Sequence, residues 1–327
     1  MKAVLCKAYG PPDSLVLEHI ASPQPKKGQV LISVKACALN FPDTLIIQGK
    51  YQFKPPMPFS PGSDVAGIVK EVGEGVESFK AGDNVFAFAG WGGFAEEVVA
   101  DATKTIPIPN GINFATAAAF PLVYGTSYHA LKDRAHLKTN ETLLVLGASG
   151  GVGLAAVELG KLMGAHVIAA ASTAEKLSLC KQYGADEVIN YSTEDLKTRV
   201  KELTGGKGVD VVYDPVGGDY SEAALRGMAW EGRYLVVGFT AGDIPRIPLN
   251  LPLLKGCSIV GVFWGAFTEH NPGGNQQNFQ ALLTWLVQGK LKPYISATYP
   301  LDQAAEALNA MMQRKVQGKV VLLTDKS

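Results

Sequence analysis

One stretch, residues 142–160 (TLLVLGASGGVGLAAVELG), constrains the fold of this chain more than any other. Residues 143–146 are four consecutive apolar residues, too few for a helix and followed at once by a turn signal, so they predict a buried strand. Gly147, Gly150 and Gly153 recur every third residue, with Gly151 added. Apolar residues return at Val152, Ala155, Ala156, Leu159 and Leu162, the spacing of one helix face. In a strand–glycine turn–helix unit, absent side chains let phosphates approach the main chain, and the helix start offers unpaired N–H groups and the positive end of its dipole. Units of this kind hold the pyrophosphate of a dinucleotide.

Three glycines also make ordinary tight turns, so the surroundings decide. Short apolar strands are predicted at 166–171, 187–191, 209–214, 233–238 and 257–263, with helices at 174–183, 193–203 and 220–230 between them. Strands alternating with helices give a doubly wound parallel sheet of six strands. Residues 1 to about 100 differ: 4–7, 15–19, 29–38, 63–72, 84–89 and 94–100 read as short strands separated by Pro and Gly, the pattern of a compact β-barrel or sandwich. Residues 115–131 predict a helix broken at Pro121 and resumed after it. The last segment mixes helices (275–288, 302–314) with strands (294–299, 319–323) and returns to the first domain. The expected fold class is therefore α/β, with one domain from 1–122 and 265–327 and an inserted nucleotide domain from 123–264. The expected reaction site is the cleft between the two.

Composition excludes several classes. The 327 residues carry 30 Lys and Arg against 30 Asp and Glu, which leaves no basic footprint for nucleic acid. No run of about 18 apolar residues is present, so no membrane span is expected. The start, MKAVLCKAYG, is too short and polar for a signal peptide, and Cys6, Cys37, Cys180 and Cys257 are scattered, with no C-x-x-C. A cytoplasmic, reducing location is expected.

Three stretches, 34–51 (VKACALNFPDTLIIQGKY), 61–73 (PGSDVAGIVKEVG, followed by FKAGDNV at 79–85) and 140–153 (NETLLVLGASGGVG), resemble the medium-chain dehydrogenase/reductase superfamily. The resemblance is to its zinc-free quinone oxidoreductases related to zeta-crystallin, and it covers essentially the whole chain. It implies a GroES-like β-barrel catalytic domain beside a Rossmann domain. Glu158 stands where a Gln is usual. Zinc-containing relatives carry Cys and His where Asn40 and Ser63 stand, so no metal is expected.

About 20 residues after the glycine turn, where sites for NADH place an acid, the sequence reads AAASTAEK (169–176). Ser172 and Lys176 suit a 2′-phosphate instead, and the resemblance assigns them that role, so NADPH is the expected cofactor. Lys176 also fits an ordinary solvated helix charge. By resemblance, Ala148, Gly150, Gly151, Val152 and Gly153 hold the phosphates, Tyr191 packs near the 2′-phosphate, and Thr126 contacts the nicotinamide amide. Gly238, Phe239, Phe263 and Trp264 grip its other side, and Lys319 lies near the ribose.

A hydride acceptor needs orientation and a donor for the oxygen that gains charge. Asn40 is expected to supply that donor, Tyr51 a proton, and Asp43 orientation of its neighbours. The same NFPD sequence also fits a turn in which Asn and Asp bond their own backbone. Trp91 to Phe94 read either as a flexible cover over the substrate or as a β-turn. The expected activity is metal-free hydride transfer from NADPH to a quinone or an α,β-unsaturated carbonyl. An enone or enoyl-thioester reductase, with cations at Lys50 and Lys54, is one alternative, and an NADPH-binding structural or sensing protein is another. A homodimer through the sixth strand is implied by the resemblance.

Overall fold

A computed structural model describes residues 1–324. The chain divides into two compact units, Met1–Leu122 with Pro293–Ser327, and Val123–Lys292. The first opens with β1 (Lys2–Leu5), β2 (Val16–His19), β3 (Gln29–Ala38), α1 (Phe41–Ile46), β4 (Asp64–Val72), β5 (Asn84–Phe88), β6 (Glu97–Asp101), β7 (Thr105–Pro107) and α2 (Phe114–Ala118). Helix α3 (Pro121–Tyr128) carries the chain into the second unit. There follow β8 (Thr142–Leu146), α4 (Gly151–Leu162), β9 (His166–Ala171), α5 (Ala174–Gln182), β10 (Glu187–Asn190), α6 (Leu196–Leu203) and β11 (Val209–Asp214). The unit continues with α7 (Asp219–Arg226), β12 (Met228–Val236), α8 (Asn250–Lys255), β13 (Ser258–Gly261), α9 (Trp264–His270) and α10 (Pro272–Val287). The chain returns to the first unit with β14 (Ile295–Pro300), α11 (Ala304–Met312) and β15 (Lys319–Leu323).

The second unit is built on a six-stranded parallel sheet ordered β10-β9-β8-β11-β12-β13. The chain starts mid-sheet at β8, builds out to β10, then crosses back to β11. That reversal makes the carboxyl end of β8 a topological switch point, and α4 begins there. Leu143 to Leu146 are wholly buried, as expected of a parallel strand covered on both faces.

The first unit holds a seven-stranded sheet ordered β14-β15-β3-β4-β5-β7, with β6 also on β3. Strand β3 runs between β15 and β4, and its last residue, Ala38, stands opposite both Asp64 and Val321. This register brings the end of β3, the start of β4 and the start of β15 to one place. The fold class matches the expectation.

Several elements differ in detail. The helix expected at 115–131 is split into α2, α3 and a π-helical turn, His129–Arg134, with the Ala135 N–H bonding the Ala130 carbonyl at 2.8 Å. The helix expected to reach Trp230 ends at Arg226, where Gly227 caps it, and Trp230 lies in β12. Residues 265–292, expected with the first domain, pack in the second unit. The cause is local. The Trp264 indole lies over Gly125, where a Cβ would come within 2.7 Å of the ring, and it donates to Asn275. Tyr128 meets Trp285 edge-on at 5.4 Å, and Lys132 and Asp133 both bond Asn278. The segment from Trp91 to Phe94 is a pinned turn: Gly92, Gly93 and Phe94 donate N–H to the carbonyls of Ser60, Gly62 and Pro61, and Phe94 is fully buried. Among the described residues no helix is long and apolar enough to cross a membrane.

Candidate functional site

The glycine turn of the second unit is shaped by three glycines with three different reasons. Gly147 has φ +56, a left-handed conformation that favours glycine. A Cβ on Gly153 would stand 2.3 Å from the Gly147 carbonyl oxygen, so the helix is close against the strand end only because that side chain is missing. Gly150 has an ordinary φ of −77, and a Cβ there would meet nothing nearer than 3.4 Å. Neither conformation nor packing demands a glycine at 150, since an added methyl would meet the Gly147 carbonyl oxygen only at van der Waals contact.

Gly150 is the N-cap of α4 and carries no side chain to cap it. The first intrahelical bond runs from the Leu154 N–H to the Gly150 carbonyl, so the N–H groups of Gly151, Val152 and Gly153 precede the ladder. They form an anion-binding start to a twelve-residue helix. Ala148 is fully buried, with its N–H on the Ala170 carbonyl of β9. The turn is fixed from α3 as well: the Ser127 hydroxyl lies 2.9 Å from the Val152 carbonyl and 2.9 Å from the buried Tyr213 hydroxyl. Sequence reasoning passed over Ser127 and Tyr213, since a polar residue inside a helix and a Tyr inside an apolar strand carry no motif.

Strand β9 ends at Ala171 without an acid. Ser172 and Lys176 follow, and the Lys176 ammonium lies 3.4 Å from the Ser172 hydroxyl. Thr173 caps α5 by accepting the Lys176 N–H, so the first turn of α5 aims that lysine back along the strand end. Tyr191 is half-buried and packs on Tyr220 with ring centres 4.3 Å apart and the ring planes tilted by 40°. Thr126 is half-buried on α3, and Gly238 and Phe239 are half-buried after β12. Phe263 is 54% exposed, whereas Trp264 is turned inward onto Gly125. Neither lies in a strand, because β13 stops at Gly261 and α9 starts at Trp264.

The first unit contains a second concentration of chemistry, and here side chains carry it. Asn40 precedes α1 as its N-cap, and Asp43, three residues on, accepts the Asn40 N–H at 2.7 Å and the Gly62 N–H at 3.2 Å. The turn-like reading of NFPD and the site reading thus describe the same residues. The Asn40 amide nitrogen donates to Asp64 Oδ2 at 3.0 Å and lies 3.4 Å from both Ser63 Oγ and the Ala38 carbonyl. The Lys319 ammonium reaches Asn40 Oδ1 at 2.5 Å and the Leu39 carbonyl at 2.7 Å. Asp64 Oδ2 also accepts the Leu122 N–H, while Asp64 Oδ1 has no partner among the described residues. Tyr51 is half-buried against the core of this unit. Cys37 is buried beneath the cluster, packed on Gly62 and Gly93.

Asn40, Asp43, Ser63, Asp64 and Lys319 are all buried. Burial pushes the Asp43 carboxyl up to about 7 against the pull of the Asn40 N–H and Lys319, and the Asp64 carboxyl up to about 6 against Lys319 and the Asn40 amide. Burial likewise lowers the Lys319 ammonium, although both carboxylates hold it up. All three groups move toward their neutral forms, so desolvation outweighs their mutual attraction. Lys319, expected near a ribose, has its ammonium engaged by Leu39 and Asn40. Among the described residues no group of three or more His, Cys, Asp and Glu could hold a metal ion. Asp64 lies inside the stretch PGSDVAGIVKEVG, and the signal for it was a charge at the head of the apolar strand DVAGIV.

Glu158 lies on α4, 7% exposed, and accepts the Tyr124 hydroxyl at 2.5 Å and the Lys292 N–H at 3.0 Å. Burial raises its carboxyl to about 7 despite both donors. Its side chain serves packing within the second unit.

Residues 26–110 match the alcohol dehydrogenase GroES-like domain family, and residues 151–288 match the zinc-binding dehydrogenase family. The chain is 43% identical over 326 residues to a quinone oxidoreductase-like protein 2 homolog of Nematostella vectensis, covering 99% of this chain and 89% of that one. It is 37% identical over 326 residues to the quinone oxidoreductase of Homo sapiens, covering 99% and 98%. Among solved structures it resembles Escherichia coli quinone oxidoreductase complexed with NADPH, with a TM-score of 0.93, 31% identity, and 99% and 100% of the two chains covered. The chain belongs to the medium-chain dehydrogenase/reductase superfamily, among its quinone oxidoreductase-like members.

Proposed function

We propose that this protein is an NADPH-dependent oxidoreductase that transfers hydride to a quinone or to the β-carbon of an α,β-unsaturated carbonyl. The observation that carries the cofactor is Gly150, a glycine the protein itself does not need, beside three helix-start N–H groups. Those N–H groups bind the pyrophosphate. Ser172 and Lys176 hold the 2′-phosphate at a strand end that lacks the acid a free ribose hydroxyl would use. The E. coli relative complexed with NADPH supports the same choice. Thr126, Gly238, Phe239 and the main chain at Phe263 and Trp264 orient the nicotinamide, and Tyr191 packs at the 2′-phosphate.

When bound, a reduced nicotinamide supplies two electrons and a hydrogen as hydride. The acceptor's oxygen gains charge, and Asn40 stabilises it through an amide N–H. Tyr51, whose hydroxyl burial raises above its ordinary range, keeps a proton available to complete the reduction. Asp43 ties the start of α1 to Gly62 and so fixes Asn40.

The test is NADPH oxidation at 340 nm against 1,4-benzoquinone, 9,10-phenanthrenequinone, an alkenal, an enone and crotonyl-CoA, each repeated with NADH. Quinone-dependent turnover that prefers NADPH is expected. Turnover confined to enones or thioesters moves the activity to double-bond reduction, and tight NADPH binding with no turnover moves it to a structural or sensing role.

A second copy of the chain is the proposed partner. Strand β13 ends its sheet, and Trp230, Leu249, Leu253, Leu254 and Ile259 are exposed beside that edge. Ile259→Lys is expected to halve the sedimenting mass; a wild-type monomer overturns the pairing.

A further inference from the structure

We propose that Lys319 is a positioning residue for Asn40, fixing which end of its amide faces the acceptor and strengthening the N–H left over; this rests on the reading of Asn40 given above. An ammonium only donates, so the amide end 2.5 Å from Lys319 Nζ is the oxygen. The nitrogen is then turned to Asp64, whose carboxylate accepts one N–H at 3.0 Å. A cation at the carbonyl end and an anion at the amino end both favour the charge-separated form of the amide. The bond that the carbonyl oxygen accepts from Lys319 draws electron density from the amino nitrogen and makes its N–H groups better donors, while Asp64 takes up one of the two and fixes the direction of the other. Its partners in the protein, Ser63 Oγ and the Ala38 carbonyl, stand at 3.4 Å, long for a hydrogen bond. Both contacts are longer than the 3.0 Å bond that the other N–H makes to Asp64.

The arrangement is costly for packing alone. Lys319 is 3% exposed and Asp64 fully buried, and an apolar replacement of a buried ion pair is often neutral or stabilising. The charges converge on a single group. Lys319 touches Asn40, Asp64 touches Asn40, and Asp43 holds the Asn40 main chain. Asp64 spends only one oxygen on this task, since Oδ1 has no partner among the described residues. The ammonium is bound on two sides by Leu39 and Asn40, so Lys319 acts through Asn40.

The experiment uses the full-length protein and two readouts. In ¹H–¹⁵N spectra, the Asn40 side-chain amide pair is assigned by its loss in Asn40→Ala. It is expected to be protected from exchange in the wild type. Lys319→Met is expected to lower that protection about tenfold or more, and Lys319→Arg to restore much of it. With NADPH and the best acceptor, Asn40→Ala should lower kcat by about 100-fold, the scale for losing one oxyanion donor. Lys319→Met should lower kcat by about 10- to 100-fold, leave the Kd for NADPH unchanged, and add little on top of Asn40→Ala. An Asn40 amide equally protected in Lys319→Met overturns the proposal. So does a Lys319→Met protein that binds NADPH several times more weakly with kcat retained, or a double variant whose losses multiply. If Lys319→Met fails to fold, Asp64→Ala carries the same expectation for exchange, because it removes the acceptor that holds the other end of the amide. If the wild type reduces no acceptor, the activity reading fails, and the amide exchange alone decides the positioning.

Discussion

At the glycine turn, the groups offered to a ligand are main-chain N–H groups of consecutive residues, 151 to 153, at the start of one helix. At the Asn40 cluster the groups brought together are side chains of residues 40, 43, 64 and 319, drawn from a loop, a helix and two strands. The first arrangement has no ionisable group and leaves its donors open beside a missing side chain. The second is buried, charged, and largely satisfied by its own members. A ligand site made of backbone is set by local conformation, and substitutions act on it through shape. A site made of buried charges is set by sheet register, and substitutions act on it through electrostatics.

The contrast can be broken most forcefully at Gly153. A valine there collides with the Gly147 carbonyl, so Gly153→Val should destabilise the protein by about 3 kcal/mol or more, or prevent its folding, as read by thermal unfolding and soluble yield.

Glu158 gives the next largest effect, and its sign is fixed by burial. Its folded carboxyl titrates near 7 against the ordinary 4.5, so folding favours the protonated form. That contribution is fully present below pH 4.5 and lost as the pH rises through 7. Relative to Glu158→Gln, the wild type should therefore lose up to about 3 kcal/mol across this window, at roughly 1.4 kcal/mol per pH unit. Denaturant unfolding of both proteins at about pH 5 and about pH 8 measures it. A difference that does not change with pH would mean the carboxyl is better solvated than its packing indicates.

Gly150→Ala sharpens the comparison within the turn itself. Its backbone conformation and surroundings admit a methyl, so stability should stay within about 1 kcal/mol while the Kd for NADPH rises about tenfold or more. Equal losses of stability and binding would make Gly150 a structural glycine like Gly153. Smallest is Lys176→Ala, expected to weaken NADPH by about tenfold and NADH hardly at all, narrowing the preference between them in titrations followed by nicotinamide fluorescence.

How much of this was legible in the sequence follows the same division. The glycine turn, the six parallel strands and the missing acid at the end of β9 lie within short stretches, so periodicity and spacing reveal them. Helix α1 hid inside a sequence that also suits a turn, because its cap and its third residue are Asn and Asp. The end of α7 was misplaced by four residues, from Arg226 to Trp230, although Gly227 marked it, because the apolar residues that open β12 continue the helical pattern. Residues 265–292 were assigned to the wrong unit because contacts of Trp264, Trp285 and Asn278 with α3 and the π-helical turn leave no local trace. The role of Asp64 and the inward turn of Lys319 depend on β3 lying between β4 and β15, and the second of those pairings sets Ala38 opposite Val321, from the far end of the chain.

The Glu158 carboxylate has a topological consequence. Its two donors are Tyr124, the second residue of the inner unit, and Lys292, the last. The entry and exit of a 170-residue insertion are thereby held at one side chain, which makes Val123–Lys292 a cassette whose ends already meet. A host chain can accommodate such a piece at a single surface break, and the piece tolerates having its ends joined and new ones opened elsewhere.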